Sequence, residues 1–130
     1  YANRSISSGN GAFSKASEQH IGTGTVTVKN NAVVGNVFGC FGYTSIDDLT
    51  INIEGNATVR ESVMPGATNG TLAKGTLNVN GPGVTIGEVA GCQRTLIESL
   101  DMNFIEAPSI TRRKRREFPN GDLAISTTES

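Results

Sequence analysis

The chain has 130 residues, 16 of them glycine and none tryptophan, and a formal net charge of -1. That length allows one domain with a buried core, while the near-neutral charge gives no general ground for a nucleic-acid or acidic-partner class. No run approaches the roughly 20 apolar residues that a membrane-spanning helix needs, and the opening Tyr1-Ala2-Asn3-Arg4 lacks a charged-then-apolar export signal, so any such signal is expected outside this chain.

Residues 1–23 are polar, with Ser, Gly and Asn around isolated Ile6, Phe13 and Ile21. They read as a lead-in or an irregular N-terminal cap. A cap has a physical reason, because an uncovered end of stacked strands presents unpaired backbone groups that recruit another chain, the route to end-to-end self-association; the alternative is that the lead-in continues a longer solenoid upstream. His20 stands alone in this stretch, without the paired spacing that zinc ligands show.

From Gly24 the chain repeats itself. Gly24-Thr25-Val26-Thr27-Val28 leads through Asn30-Asn31 to Val37-Phe38-Gly39-Cys40; Leu49-Thr50-Ile51-Asn52-Ile53 leads through Gly55-Asn56 to Val63-Met64-Pro65-Gly66; and Gly75-Thr76-Leu77-Asn78-Val79 leads through Gly81 to Val89-Ala90-Gly91-Cys92. The strand starts Gly24, Leu49, Gly75, Leu100 and Leu123 recur at nearly even spacing, with the last step the shortest, and Val37, Val63 and Val89 recur at two equal steps. A fixed period of this size marks a solenoid, and alternation of apolar and polar residues between Gly/Asn turns makes its unit a coil of strands. The expected fold is all-β, a right-handed parallel β-helix of about five coils over residues 24–126, with a frayed tail at 127–130.

Two sets of columns follow. The inward ones read Gly24, Leu49, Gly75, Leu100, Leu123; Val26, Ile51, Leu77, Met102, Ile125; and Val28, Ile53, Val79, Phe104, with Ala32/Val34, Ala57/Val59, Val84/Ile86 and Pro108/Ile110 in a second stretch and Val37, Val63 and Val89 in a third. Coil three carries one extra residue at Gly81-Pro82-Gly83. The outward columns read Thr25, Thr50, Thr76, Asp101, Ala124; Thr27, Asn52, Asn78, Asn103, Ser126; and Lys29, Glu54, Asn80, Ile105. Thr and Asn stacked in this way form structural ladders or, as a flat ridge, a sugar-contacting face. Lys29 and Glu54 on adjacent coils are expected to form a surface ion pair worth under about 1 kcal/mol.

The outward faces give little chemistry. Glycosidic cleavage needs two carboxyls flanking one bond, and the acidic residues of these columns, Glu54 and Asp101, fall two coils apart. No catalytic residue, metal site or cofactor is expected. Asp47-Asp48, just before a strand, suits a turn. Cys40 and Cys92 take equivalent places two coils apart, at roughly 9.6 Å, beyond disulfide reach, and are expected to be free and buried. Asn3, Asn56 and Asn69 head Asn-x-Ser/Thr triplets, which matter only in a eukaryotic secretory pathway.

The most distinctive local feature is the basic run Arg112, Arg113, Lys114, Arg115, Arg116. Successive cations cannot line an apolar bore, so a loop is expected over 112–117. Its plain reading is a solvated charge run; the functional ones are a patch for polyanions such as acidic glycans, anionic lipid or nucleic acid, or a dibasic protease site. The absence of interleaved aromatics argues against single-strand stacking, and nucleic acid is not the expected partner.

Asn36-Val37-Phe38-Gly39-Cys40 after a strand such as Thr25-Val26-Thr27-Val28 resembles the Asn-Val-Tyr-Gly-Gly-Gly repeats of gut-bacterial, adhesin-like surface proteins. Glu61-Ser62-Val63-Met64-Pro65-Gly66 and Gly87-Glu88-Val89-Ala90-Gly91-Cys92 are looser copies, with Cys or Pro where that pattern has Gly. A weaker resemblance, to bacterial surface leucine-rich repeats, rests on the Gly-Cys after a strand and lacks their longer connecting segment. The first resemblance implies a bacterial cell-surface or secreted solenoid with no defined activity. The expected function is therefore a non-enzymatic structural or adhesive module that binds a glycan or a surface protein. The competing class is a carbohydrate-active β-helix enzyme, a lyase or glycosidase, with its catalytic residues degenerate or outside this chain.

Overall fold

The computed structural model describes residues 2–10, 19–41, 43–66, 69–90, 96–114 and 124–129. These residues form an all-β parallel solenoid in which β1 (Ala2–Asn10), β2 (Gln19–Val28), β3 (Val33–Phe41), β4 (Tyr43–Glu54), β5 (Thr58–Gly66), β6 (Asn69–Asn80), β7 (Thr85–Ala90), β8 (Leu96–Ile105), β9 (Ser109–Lys114) and β10 (Ala124–Glu129) feed two sheets by turns. One sheet runs β1-β3-β5-β7-β9 and the other β10-β8-β6-β4-β2. Each strand pairs in parallel with the strand two places on, so the repeat in sequence becomes a repeat in space.

The expected columns are present. Val28 pairs with Ile53, Ile53 with Val79 and Val79 with Phe104, and the same three steps join Val26, Ile51, Leu77 and Met102. All eight are buried, together with Val34, Val59 and Ile86 and with Val37, Val63 and Val89 in the facing sheet. Full burial of each such side chain contributes about 1.5–3 kcal/mol relative to exposure. Only Ala32 of the expected second stretch is exposed.

The packed body makes about three turns, not the five expected, because its core runs from Val26 to Phe104 over those three register steps. Counting stacked strands overstates the number of closed coils, and the six-residue β10 has no return strand among the described residues. Its register also differs from the sequence alignment. Ile125 lies beside Leu100 and Thr127 beside Met102, two residues away from the expected Leu123/Leu100 and Ile125/Met102 pairing. This last step thereby equals those from Gly24 to Leu49 and from Gly75 to Leu100. Leu123 itself lies outside the described residues.

Strand formation begins earlier in each coil than expected. Part of the polar lead-in is strand: β1 pairs with β3, Ile6 opposite Val37, and β2 begins at Gln19. A further inward column, Ile21, Ile46, Leu72 and Ile97, precedes the Gly24 column by three residues. Two inward residues three apart require the strand to bend between them, and Asp47 and Asp48 are both exposed at that bend, inside β4 rather than in a turn. The expected second and third stretches are likewise one bent strand, as with Val34 and Val37 in β3.

Two irregularities cancel. The extra residue at Gly81-Pro82-Gly83 makes the step from Thr58 to Thr85 one longer than the step from Val63 to Val89. The difference is absorbed by a bulge, because Arg60 and Glu61 of β5 together face the single Gly87 of β7. Gly87 is the residue that allows it, since a Cβ there would lie 2.5 Å from the Arg60 carbonyl oxygen and 2.7 Å from that of Glu61. Size also alternates down the column Gly24, Leu49, Gly75, Leu100, and Leu100 reaches into the space beside Gly75, where an added Cβ would lie 3.0 Å from its Cδ1.

Candidate functional site

The outer face of the second sheet carries the expected polar ladders, and they are internally satisfied. Asn78 Nδ2 donates to Asn52 Oδ1 at 3.0 Å and Asn103 Nδ2 to Asn78 Oδ1 at 2.9 Å. Thr71 Oγ1 donates to Ser45 Oγ at 2.9 Å on the same face. In the other sheet Asn36 is consumed twice, its Nδ2 donating to Glu61 Oε2 at 2.9 Å and its Oδ1 accepting from the Ser62 amide at 3.1 Å. Polar groups that spend their capacity on each other stiffen the stack and have less left for a ligand.

The basic run continues as strand where a loop was expected. β9 extends through Lys114, with Arg112 opposite Glu88, Arg113 opposite Val89 and Lys114 opposite Ala90. Arg112 points outward, its side chain 69% exposed, and its Nη2 is 3.6 Å from Glu88 Oε2. Arg115 and Arg116 lie outside the described residues, as does Cys92; Cys40 pairs in register with Gly66, as the repeat places them.

His20 is not isolated. The bend at Asp47 brings its Nε2 within 3.2 Å of Asp47 Oδ2, with both side chains well exposed. The ion pair expected between Lys29 and Glu54 is not formed; both side chains instead border a common groove. Glu54 and Asp101 belong to different columns two coils apart and do not converge. Among the described residues there is no group of three or more His, Cys, Asp or Glu able to hold a metal ion, and no helix long and apolar enough to cross a membrane.

The groove lies along the stacked turns that join the two sheets. Its residues are Lys29 and Asn30 from the first turn, Glu54, Gly55 and Asn56 from the second, Asn80 to Gly83 from the third and Glu106 from the fourth, around a volume of about 500 Å³. Backbone hydrogen bonds fix the turns on one another: the Asn56 amide donates to Asn30 O at 2.8 Å, Thr58 to Ala32 O at 2.9 Å, Gly81 to Ile105 O at 2.9 Å and Ser109 to Val84 O at 2.9 Å. Each turn needs one residue in the left-handed region, and these fall in a column, Asn30 (φ 60°), Gly55 (φ 70°), Gly81 (φ 117°) and Glu106 (φ 60°). Their regular spacing is present in the sequence, but the column mixes Asn, Gly and Glu, so residue type alone conceals it.

In contrast to the sheet faces, the groove is lined by uncommitted groups. Among the described residues, the side chains of Lys29, Asn30, Glu54, Asn56, Asn80 and Glu106 form no hydrogen bond or ion pair with one another or with any other described residue. The two carboxylates, three amides and one ammonium sit on a scaffold held by main-chain bonds. No protein-family model matches this chain, and neither a curated protein nor a solved structure matches it.

Proposed function

We propose that the chain is a non-enzymatic structural and adhesive module of a bacterial cell-surface or secreted protein, a right-handed coil stack that presents a rigid polar edge to a glycan or a surface protein. The observation that supports this reading is the division of polar groups between faces and edge: sheet-face amides are tied into ladders such as Asn52–Asn78–Asn103, while those of the turn edge are free to meet a partner. A scaffold stiffened in this way loses little conformational entropy on binding. Right-handed winding accords with the strong preference of parallel strand connections for that hand, and the resemblance to Asn-Val-Tyr-Gly-Gly-Gly repeats favours the surface location. The run Arg112 to Arg116 adds a separate patch for polyanions.

The test is retention against turnover. Binding to an immobilised glycan array or to whole cells, with no release of reducing sugar or unsaturated uronide from a polysaccharide panel, is the expected result. Release of either product would replace the adhesive reading with the carbohydrate-active one, for which Glu54 and Glu106 in one groove are the available carboxylates. Retention on heparin that falls steeply with salt and is lost when residues 112–116 are changed to Ser would establish the basic patch; salt-independent retention would remove it.

A further inference from the structure

Glu106 and Ala107 are consecutive non-glycine residues with φ of 60° and 51°. At the place of Glu106 the two preceding coils use Gly55 and Gly81. A side chain with a Cβ is disfavoured in this region, and glycine would relieve the conflict without loss of backbone hydrogen bonding. Strain held at one position of a repeat, where neighbouring coils avoid it, points to a use for the side chain. The carboxylate of Glu106 stands at the end of the groove that Lys29 opens.

The chemistry of that groove selects an occupant. Its volume of about 500 Å³ falls within the roughly 300–1,000 Å³ of small-molecule sites; its surface is shared about evenly between polar and apolar atoms, and every side chain on it except Pro82 is polar. An anion meets Glu54 and Glu106; a cation meets Lys29. Amides both donate and accept, carboxylates accept and the ammonium donates, a mixture matched by a ligand whose hydroxyls also do both. Pro82, exposed at the rim, offers an apolar ring on which the C–H face of a sugar can rest.

We propose that the turn groove binds a short segment of uncharged saccharide, with Glu106 positioning its hydroxyls at one end. This rests on the glycan-binding reading above and assigns it a place, the turn edge instead of the Thr/Asn ridge. The site repeats with the coils, so a saccharide chain lies along the stack, contacting Glu54, Asn80 and Glu106 in successive turns.

The test uses cellotriose, maltotriose and N,N′,N″-triacetylchitotriose as uncharged probes, with trigalacturonate, a chitosan trimer and calcium chloride as charged ones, by calorimetry and by the side-chain amide signals of Asn56 and Asn80. At least one uncharged probe is expected to bind and to shift those signals. Glu106→Gly is expected to weaken that binding about tenfold while raising Tm by about 2–4 °C, and Glu106→Gln, which keeps an acceptor, to recover most of the affinity. The opposite signs of the Gly effects separate a binding role from a structural one. Binding unchanged in Glu106→Gly, preference for a charged probe or calcium, or no binding of any uncharged probe would overturn the assignment. Binding that survives Glu106→Gly but is lost on changing Asn78 would move the site to the sheet ridge and leave the adhesive reading intact; absence of retention on any immobilised glycan and on whole cells would remove both.

Discussion

The side-chain amide of Asn78 donates to the oxygen of Asn52 in the coil before it, at 3.0 Å, and accepts from Asn103 in the coil after it, at 2.9 Å. The middle residue therefore satisfies two neighbours. Asn78→Ala leaves the half-buried Asn52 Oδ1 and Asn103 Nδ2 without this partner, and each net hydrogen bond is worth about 0.5–1.5 kcal/mol. A loss of about 1–3 kcal/mol in urea unfolding is expected for Asn78→Ala, against about half of that for Asn52→Ala, which breaks one bond. Equal losses would show that the ladder does not act as a chain of bonds.

The bulge in β5 makes a second prediction. Gly87 faces the carbonyl oxygens of Arg60 and Glu61, and the three nearest atoms that a Cβ would meet are all backbone. Backbone cannot rotate away as a side chain can, so Gly87→Ala must push the coils apart locally, at a cost of about 1–3 kcal/mol as in overpacked cores. Gly22 supplies the control, because a Cβ there meets nothing within 4 Å. Gly22→Ala is expected to be neutral or slightly stabilising through the unfolded chain. Thermal unfolding of the two variants checks the contrast, and similar Tm values would mean that the bulge relaxes freely.

These positions show how far the sequence can be read. Period-2 alternation and an even repeat identify the inward residues from Val26 to Phe104, because a dry core admits few residue types and stacking makes them recur. The bend before Leu49 is hidden: Ile46 and Leu49 are three apart, out of phase for a straight strand, so Ile21 looks isolated and Asp47-Asp48 looks like a turn. The strand through Arg112 to Lys114 is hidden for another reason, since a run of charge argues against a sheet, whereas Arg112 faces outward beside Glu88. The groove is the least legible. Its polar residues lie at turn positions, where backbone conformation selects, and Glu106 breaks that selection instead of following it.

Core packing gives a coupled prediction. A Cβ on Gly75 would lie 2.8 Å from Leu72 Cδ2 and 3.0 Å from Leu100 Cδ1, both ends of buried leucines. Gly75→Ala is expected to destabilise by about 1–3 kcal/mol, and Leu100→Ala alone by about 2–5 kcal/mol. Together they should cost less than the sum by about 0.5–2 kcal/mol, since the added methyl occupies part of the space that Leu100 vacates. A double-mutant cycle in urea measures the coupling. Simple additivity would mean that the alternation of glycine and leucine down this column is not a packing device.

The turn after β8 carries strain that the two turns before it avoid with Gly55 and Gly81, and Ala107 shares it without bordering the groove. A left-handed conformation costs an L-residue about 1–2 kcal/mol, while glycine gains freedom in the unfolded chain that offsets part of the relief. Ala107→Gly is therefore expected to stabilise by about 0.5–1 kcal/mol, in the same direction as Glu106→Gly but with saccharide affinity unchanged. Backbone hydrogen bonding gives the reason for expecting no rearrangement: the Ser109 amide already donates to Val84 O at 2.9 Å, and the turn before it is tied by Gly81 N to Ile105 O at 2.9 Å. Calorimetric unfolding of the two glycine variants beside one binding titration separates their roles. A fall in stability in both would show that these side chains hold the turn and that its backbone stores no strain for a ligand to exploit.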